Sequence, residues 1–198
     1  MNYLAHAYLS FNNSEILVGN MISDFVKGKK QFDYPAGILN GIRLHRQIDR
    51  FTDDHEATKM AKEVFRPAYR LYSGAFIDVV YDHFLATDKD LFSTDESLFD
   101  FTNDVYNMLD MHIDFFPERF LAMFPYMKSQ NWLYNYRLPW GIEKSFGGFV
   151  RRSRYLEESD IAFNLFNENY DLLKSYSRVF IREVIPFARN CFHELTTE

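Results

Sequence analysis

The sequence predicts an all-α fold, a single-domain helical bundle spanning residues 1–198. Apolar residues recur at three- and four-residue spacing along most of the chain, as in amphipathic helices. No segment alternates apolar and polar residues between turn signals, as a half-buried strand would. No linker rich in Gly, Ser or Pro and no internal repeat interrupts the 198 residues, a length short for two cores.

The first two expected helices have recognisable ends. Asn13 or Ser14 is a typical N-cap and Gly28 a typical C-terminal residue, so one helix is expected between them. Pro35 suits the first turn of the next helix. The polar stretch 52–55 is expected to end that helix, because its side chains can bond the backbone.

Seven further helices follow from the same periodicity. They are expected over residues 57–72, 74–86, 94–115, 117–127, 130–136, 142–154 and 159–192. The last is expected to kink or break at Pro186, because an interior proline removes a helical hydrogen bond. With 21 Phe and 13 Tyr, the bundle should have an aromatic-rich core.

Composition excludes several classes of protein. The N-terminus lacks a basic region and carries His6 in its apolar stretch, unlike a secretory signal. No apolar run reaches the roughly 18 residues of a membrane-spanning helix. The single cysteine, Cys191, cannot form an internal disulfide. We therefore expect a soluble cytoplasmic protein with no membrane partner.

Charge is distributed unevenly. The net charge is −6, but residues 1–70 carry ten Lys or Arg against eight Asp or Glu, and the excess acid lies in the remainder. An anion-binding surface is therefore expected mainly in the N-terminal third. Nucleic acid is not an expected partner, because the chain has no basic tail and its pI is about 5.5.

Three polar pairs interrupt otherwise apolar helical segments at four-residue spacing. The pairs are Asn20 with Asp24, His45 with Asp49, and Asp78 with Asp82. On a helix this spacing puts both side chains on one face. A carboxylate in apolar surroundings needs an ion partner or a metal, and helical bundles build metal sites from such inward-facing residues.

Carboxylate and imidazole ligands suit Mn, Fe or Zn, and we expect Mn. The absence of thiolate ligands argues against a structural zinc site. For any single pair the alternative is an ordinary ion pair, such as Asp49 with Arg46 or Arg50. His6 alone would be typical of a hydrogen-bonded core histidine, and it becomes a candidate only together with the pairs.

Basic residues around the second helix could bind phosphate or an acidic protein. They are Lys27, Lys29, Lys30, Arg43, Arg46 and Arg50. The arginine fork bonds two oxygens at once, which suits a phosphodiester. A solvated charged face is the alternative, and for Arg151, Arg152 and Arg154 it is the stronger interpretation.

Several segments together resemble one family. They are Met1–His6, Gly19–Gly28, Leu44–Asp49 followed by Thr52–Asp53, Asp78–Leu85, Trp132–Leu133 with Tyr136–Arg137, and Arg151–Arg152. In these segments, which span most of the chain, the sequence resembles the acyl carrier protein phosphodiesterase family.

The resemblance implies an all-helical fold distantly related to HD-type phosphohydrolases. It implies a divalent cation, commonly Mn, and hydrolysis of the bond that joins 4'-phosphopantetheine to the serine of holo acyl carrier protein. Asp82-His83 reverses the His-Asp order of HD enzymes. Two alternatives stay open: a phosphohydrolase of a nucleotide or other small phosphodiester, and a non-catalytic module that binds a carrier protein.

Within this hypothesis each candidate residue has a role. The metal ligands are expected to be Asp24, His45, Asp49 and Asp82. A general acid, His83 or His6, would protonate the serine leaving group, with Asp78 orienting the imidazole. Contacts with the substrate or its carrier are expected from Asn20, Lys27, Arg43 and Arg46.

Overall fold

The structure is a computed structural model that describes residues 1–156 and 158–197. In these ranges it has eleven α-helices and no strand, which confirms the all-α class. The helices are α1 (Tyr3–Tyr8), α2 (Ser14–Ile22), α3 (Ala36–Asp54), α4 (Glu56–Tyr69), α5 (Ser73–Ala86), α6 (Asp95–Asp110), α7 (Glu118–Ser129), α8 (Trp132–Asn135), α9 (Pro139–Arg152), α10 (Asp160–Glu168) and α11 (Tyr170–Thr197). The single-domain division and the distant HD-type relationship stay predictions.

Helix α3 has the predicted ends, whereas α2 is shorter than predicted. Pro35 lies immediately before α3, and the polar stretch 52–55 ends it. Helix α2 stops at Ile22, and residues 23–25 form a 3-10 turn, so the expectation that the helix reaches Gly28 is wrong. At this point the carbonyl of Asn20 accepts a hydrogen bond from the side chain of His45 on α3. The carbonyl is therefore satisfied without a further turn of α2.

The C-terminal helical region breaks at a different residue from the one predicted. Helices α10 and α11 are separated at Asn169, and Pro186 lies inside α11. The Asn169 side chain donates to the carbonyl of Leu165 at 2.9 Å, and its own carbonyl accepts from the N–H of Leu173 at 2.9 Å. Asn169 therefore ends one helix and begins the next, a role typical of asparagine.

Two glycines allow α2 and α3 to cross in direct backbone contact. A Cβ atom at Gly19 would lie 2.0 Å from the carbonyl oxygen of Ile38, and one at Gly41 would lie 2.3 Å from that of Ile16. Any side chain at either position would force the helices apart. The turn of α2 that follows Gly19 therefore lies beside the turn of α3 that follows Gly41. These two turns carry the candidate site residues Asn20 and His45.

The core is rich in aromatic side chains, as predicted. The rings of Phe76 on α5 and Phe146 on α9 meet edge to face with centroids 5.0 Å apart. Phe65 of α4 stacks on Phe76 with a centroid separation of 5.6 Å. These contacts hold α5 against both α9 and α4. Among the described residues, no helix combines the length and apolarity needed to span a membrane.

Candidate metal centre

Helix α1 is held in place by a carboxylate from α5. The Asp82 side chain, fully buried, accepts hydrogen bonds from the backbone N–H groups of Leu4 at 2.8 Å and Ala5 at 3.1 Å. Asn2, the N-cap residue, makes no side-chain cap bond, so Asp82 caps the helix from another element. Burial raises the pKa of Asp82 to about 7, although the two N–H bonds act in the opposite direction.

Asn20 orients two histidines at once. Its Nδ2 donates to the carbonyl of His6 at 2.9 Å, which leaves Oδ1 to accept from Nδ1 of His6 at 2.7 Å. The backbone carbonyl of Asn20 accepts from Nδ1 of His45 at 2.7 Å. With Nδ1 of each imidazole engaged as a donor, the Nε2 atoms are left for other partners. The two rings stack with centroids 3.9 Å apart.

The two Nε2 atoms converge on acidic side chains. Nε2 of His6 lies 3.3 Å from Oδ1 of Asp49, and Nε2 of His45 lies 3.0 Å from Oδ2 of the same residue. Oδ1 of Asp24 lies 3.3 Å from Nε2 of His45. His6, His45 and Asp49 offer ligand atoms that all lie within 4.8 Å of one another. We call these three residues the histidine cluster.

The electrostatics of the cluster favour a positive charge. Burial and the neighbouring His45 lower the pKa of His6 to about 4, so this imidazole is neutral at pH 7. Burial alone would lower the pKa of His45, but its hydrogen bonds with Asp24 and Asp49 raise it to about 9. The hydrogen bond with His45 lowers the pKa of Asp24. With this raised pKa, His45 carries a proton on Nε2 at pH 7. A metal cation could bind at the same position in place of that proton.

The amino group of Met1 is a second positive group at the cluster. It lies 3.3 Å from Oδ1 of Asp49 and 3.1 Å from Oδ1 of Asp78. Burial works against its charge, yet these carboxylates raise its pKa to about 11. Asp78, predicted to orient a catalytic imidazole, thus faces the Met1 amino group. Burial raises the pKa of Asp78 itself.

The residues of the cluster fit a divalent cation. Nε2 of His6 is buried and has no hydrogen-bond partner, since its 3.3 Å approach to Asp49 lacks hydrogen-bond geometry. A buried polar atom without a partner is costly. Its lone pair faces the carboxylate of Asp49, and a metal ion between them would satisfy both. Imidazole nitrogen with carboxylate oxygen is a ligand set that suits Mn, Fe or Zn.

Comparison with known proteins assigns the chain to a family. The model of the family described as acyl carrier protein phosphodiesterase matches residues 1–184. The chain belongs to the acyl carrier protein phosphodiesterase family. This result confirms the resemblance found in the sequence motifs.

Curated relatives in the acyl carrier protein phosphodiesterase family cover nearly the whole chain. A protein named acyl carrier protein phosphodiesterase from Klebsiella pneumoniae is 34% identical over 190 residues, which are 96% of this chain and 98% of the relative. Its counterpart from Yersinia pestis is 34% identical over 88% of this chain and 90% of its own. One from Escherichia coli is 31% identical over 88% of this chain and 91% of its own. No solved structure matches the chain.

His83 and Asp82 were predicted to belong to the site, but both are hydrogen-bonded to groups outside the histidine cluster. Nδ1 of His83 donates to the carbonyl of Tyr136 at 2.8 Å, and Nε2 is hydrogen-bonded to the hydroxyl of Tyr170 at 3.0 Å. Burial lowers the pKa of His83. Asp82, a predicted ligand, uses both carboxylate oxygens to cap α1. The structure does not bring either residue into the histidine cluster.

The predicted substrate-binding cations lie on the outer face of α3 and the loop before it. Arg46 donates from Nη1 to Oε1 of Gln31 at 2.6 Å and from Nη2 to the carbonyl of Val26 at 3.2 Å, which ties it to that loop. Arg43 bonds within its own helix, and Lys27 is exposed. Asn20, also predicted to contact substrate, is buried and holds the two histidines.

A groove lies beside the cluster, and most of its lining was not predicted. It has a volume of about 580 Å³ and is lined by Asp24, by Asp78 and by residues of α8 and α9. The α9 contributors include Lys144, Arg151 and Arg152. Arg151 and Arg152 follow Lys144 by seven and eight residues, a spacing that puts all three side chains on one face of the helix. The sequence could therefore have predicted this basic face.

Proposed function

We propose that the protein is a metal-dependent phosphodiesterase that hydrolyses the bond between 4'-phosphopantetheine and the serine of holo acyl carrier protein. The products are apo carrier and free 4'-phosphopantetheine. The names of the family and of the relatives support the carrier as substrate. The buried Nε2 atom of His6, unpartnered and facing Asp49, is the observation that carries the metal requirement.

The proposed ligands are His6, His45 and Asp49, with Mn as the expected metal. Compared with the predicted ligands, this set adds His6 and leaves out Asp82 and Asp24. The reason is geometric: Asp82 spends both oxygens on backbone N–H groups, while Nε2 of His6 has no other bond. Asp82 keeps an indirect role, because capping α1 positions His6.

The bound ion would polarise a phosphoryl oxygen and lower the pKa of a water molecule. Asn20 keeps both imidazoles in the form whose Nε2 lone pair points to the cluster, through its side-chain and backbone oxygens. Asp24 is largely exposed and borders both the groove and His45, so its free oxygen is placed to accept a hydrogen bond from attacking water. His83 has a structural role in this scheme.

The experiment is incubation of the purified protein with holo acyl carrier protein and Mn²⁺, with and without a chelator, while the mass of the carrier is followed. We expect loss of the phosphopantetheine mass only when Mn²⁺ is available. Asp49→Asn should abolish the loss. Asp53→Asn is the matched control, because Asp53 lies one turn further along α3 and pairs with Lys62 outside the cluster.

Four results would contradict the proposal. An unchanged carrier mass under both conditions would exclude the reaction. Turnover of nucleotides or other small phosphodiesters in place of the carrier would favour a different phosphohydrolase. Equal turnover with and without the chelator would exclude the metal requirement, and carrier binding without turnover would indicate a binding module.

A further inference from the structure

The groove beside the histidine cluster combines three kinds of surface. Asp24 and Asp78 line its acidic side, and Asp24 connects it to the cluster through the 3.3 Å contact with His45. The part of the lining that α9 contributes includes the basic residues Lys144, Arg151 and Arg152. The remaining lining is aromatic and amide-bearing. Its volume of about 580 Å³ is within the range of about 300–1,000 Å³ that is typical of small-molecule sites.

Within the part of the chain that the structure describes, the basic side carries positive charge without acidic partners. Arg151 and Arg152 end α9, and no carboxylate among residues 1–156 and 158–197 lies within ion-pair distance of either. Lys144, two turns earlier, has its Nζ 4.8 Å above the ring of Trp140. Elsewhere, Lys62 pairs with Asp53 at 2.8 Å. Cations left without carboxylates in a groove suit an anionic ligand group.

The basic and acidic sides face the same opening. Tyr3 lines the groove, and burial raises the pKa of its hydroxyl to about 12, with Asp24 adding to the rise and Arg152 opposing it. Tyr3, Asp24 and Arg152 thus line one groove. A phosphodiester placed here would have the cluster on one side and an arginine fork on the other.

The aromatic part of the groove suits a neutral, flexible ligand. Trp140 is 43% exposed, a large apolar surface for a residue that lines a groove. Trp132 lines it as well, with its Nε1 donating to Oε1 of Gln130 at 3.1 Å. Asn2 and Asn135 add amide groups. Methylene and amide units can pack against indole rings while bonding to side-chain amides.

We infer that this groove binds the pantetheine arm, with the phosphodiester between the histidine cluster and Arg151 and Arg152, and the amide-containing chain along Trp132 and Trp140. This inference rests on the proposed function for the identity of the arm. It assigns to α9 the substrate contact that the sequence placed on α3. The carrier protein itself would remain outside the groove and present only its arm.

The two tryptophans make the inference measurable without catalysis. Trp132 and Trp140 are the only tryptophans of the chain, and both line the groove. Titration of the chelator-treated protein with 4'-phosphopantetheine or pantetheine should change the tryptophan fluorescence to saturation. Arg152→Ala should weaken 4'-phosphopantetheine binding by about tenfold, the loss of one charge-assisted hydrogen bond, and leave pantetheine binding unchanged. Arg154→Ala, an exposed neighbour outside the lining, is the matched control.

A second variant fills the groove without touching the cluster. A Cβ atom at Gly148 would meet only the side-chain ends of Arg152 at 3.6 Å and Arg151 at 3.8 Å, so the α9 backbone should tolerate Gly148→Leu. We expect this variant to raise KM for holo carrier by about tenfold or more, the size of one important binding contact, and to retain Mn²⁺ binding.

The outcomes separate this inference from the proposed function. Unchanged fluorescence with both ligands, together with wild-type turnover by Gly148→Leu, would overturn the groove assignment while hydrolysis of the carrier still stood. Saturable fluorescence changes that depend on Arg152, in a protein that does not hydrolyse holo carrier, would support the groove and refute the proposed reaction.

Discussion

Two regions of the protein bury histidines, and they differ in how the ring nitrogens are satisfied. In the histidine cluster, Nε2 of His6 has no hydrogen-bond partner and faces the carboxylate of Asp49. On α5, His83 bonds through both nitrogens to oxygens of Tyr136 and Tyr170. A buried histidine with complete hydrogen bonds contributes to packing. A buried histidine whose ring nitrogen lacks a hydrogen-bond partner and faces carboxylates is suited to bind a cation.

The supporting residues of the two regions differ as well. In the cluster, the two oxygens of Asn20 orient two stacked imidazoles toward one point. Around His83, the partners come from the end of α8 and the start of α11, so the imidazole links three helices. We therefore expect substitutions in the first region to change metal binding and turnover, and those in the second to change stability.

The largest expected effect is that of His6→Ala. Loss of one of the three proposed ligands should lower kcat/KM for holo carrier by about 1,000-fold or more, because in the proposed mechanism the metal would supply the main activation of the reaction. Calorimetric titration with Mn²⁺ should show the corresponding loss of affinity. The control is His193→Ala, an exposed histidine of α11. Near-normal turnover and Mn²⁺ affinity in His6→Ala would remove His6 from the ligand set.

His83→Ala should mainly affect folding. It leaves the carbonyl of Tyr136 and the hydroxyl of Tyr170 without their partner, so the free energy of unfolding should fall by about 2–4 kcal/mol. Denaturant titration measures that loss. Turnover per folded molecule should stay close to normal at room temperature. Loss of turnover with unchanged stability would instead identify His83 as the general acid and erase the distinction between the two regions.

Metal addition should stabilise the protein only where the cluster is intact. Mn²⁺ at 100 times its Kd should raise the free energy of unfolding by about 2.7 kcal/mol, because the ion binds the folded state. The resulting rise in Tm, reversed by a chelator, should persist in His83→Ala and disappear in Asp49→Asn. A rise that persists in Asp49→Asn would place the ion elsewhere.

The smallest expected effect is that of Tyr170→Phe. It removes the hydroxyl that bonds Nε2 of His83 at 3.0 Å and should lower the free energy of unfolding by about 1 kcal/mol. Mn²⁺ affinity and turnover should not change. A measurable decrease in Mn²⁺ affinity in this variant would mean that the His83 region and the cluster are energetically coupled.

The helical class was predictable from the sequence because periodicity is local. The ends of α3 were predictable for the same reason, since Pro35 and the polar stretch 52–55 act on their own segment. Helix α1 was not predicted as an element. It has only six residues, and its cap comes from Asp82, far away in the chain. The break at Asn169 was also missed, because Pro186 offered a stronger local signal.

The candidate site was predictable in part. The pair His45 and Asp49 was selected by its helical spacing. Asp24 lies beside His45, but in the 3-10 turn after α2, so the expectation that Asn20 and Asp24 share one helix face is wrong. The position of His6 in the cluster had no local signal, because it depends on the side chain of Asn20 and on the position of α1. The groove-lining arginines of α9 were interpreted as solvated, since the sequence does not show which helix faces the cluster.

By itself, the sequence determined the helical class, the aromatic core, the family motifs and the acidic and imidazole residue types of the site. These properties depend on residue identity and short spacing. Only the tertiary structure decided that His6 joins the cluster and that Asp82 caps α1. It also placed the basic residues of α9 in the same groove as Asp24. The physical reason is that the contact between Gly19 and Gly41 and the capping of α1 act between distant segments, which spacing along one helix cannot encode.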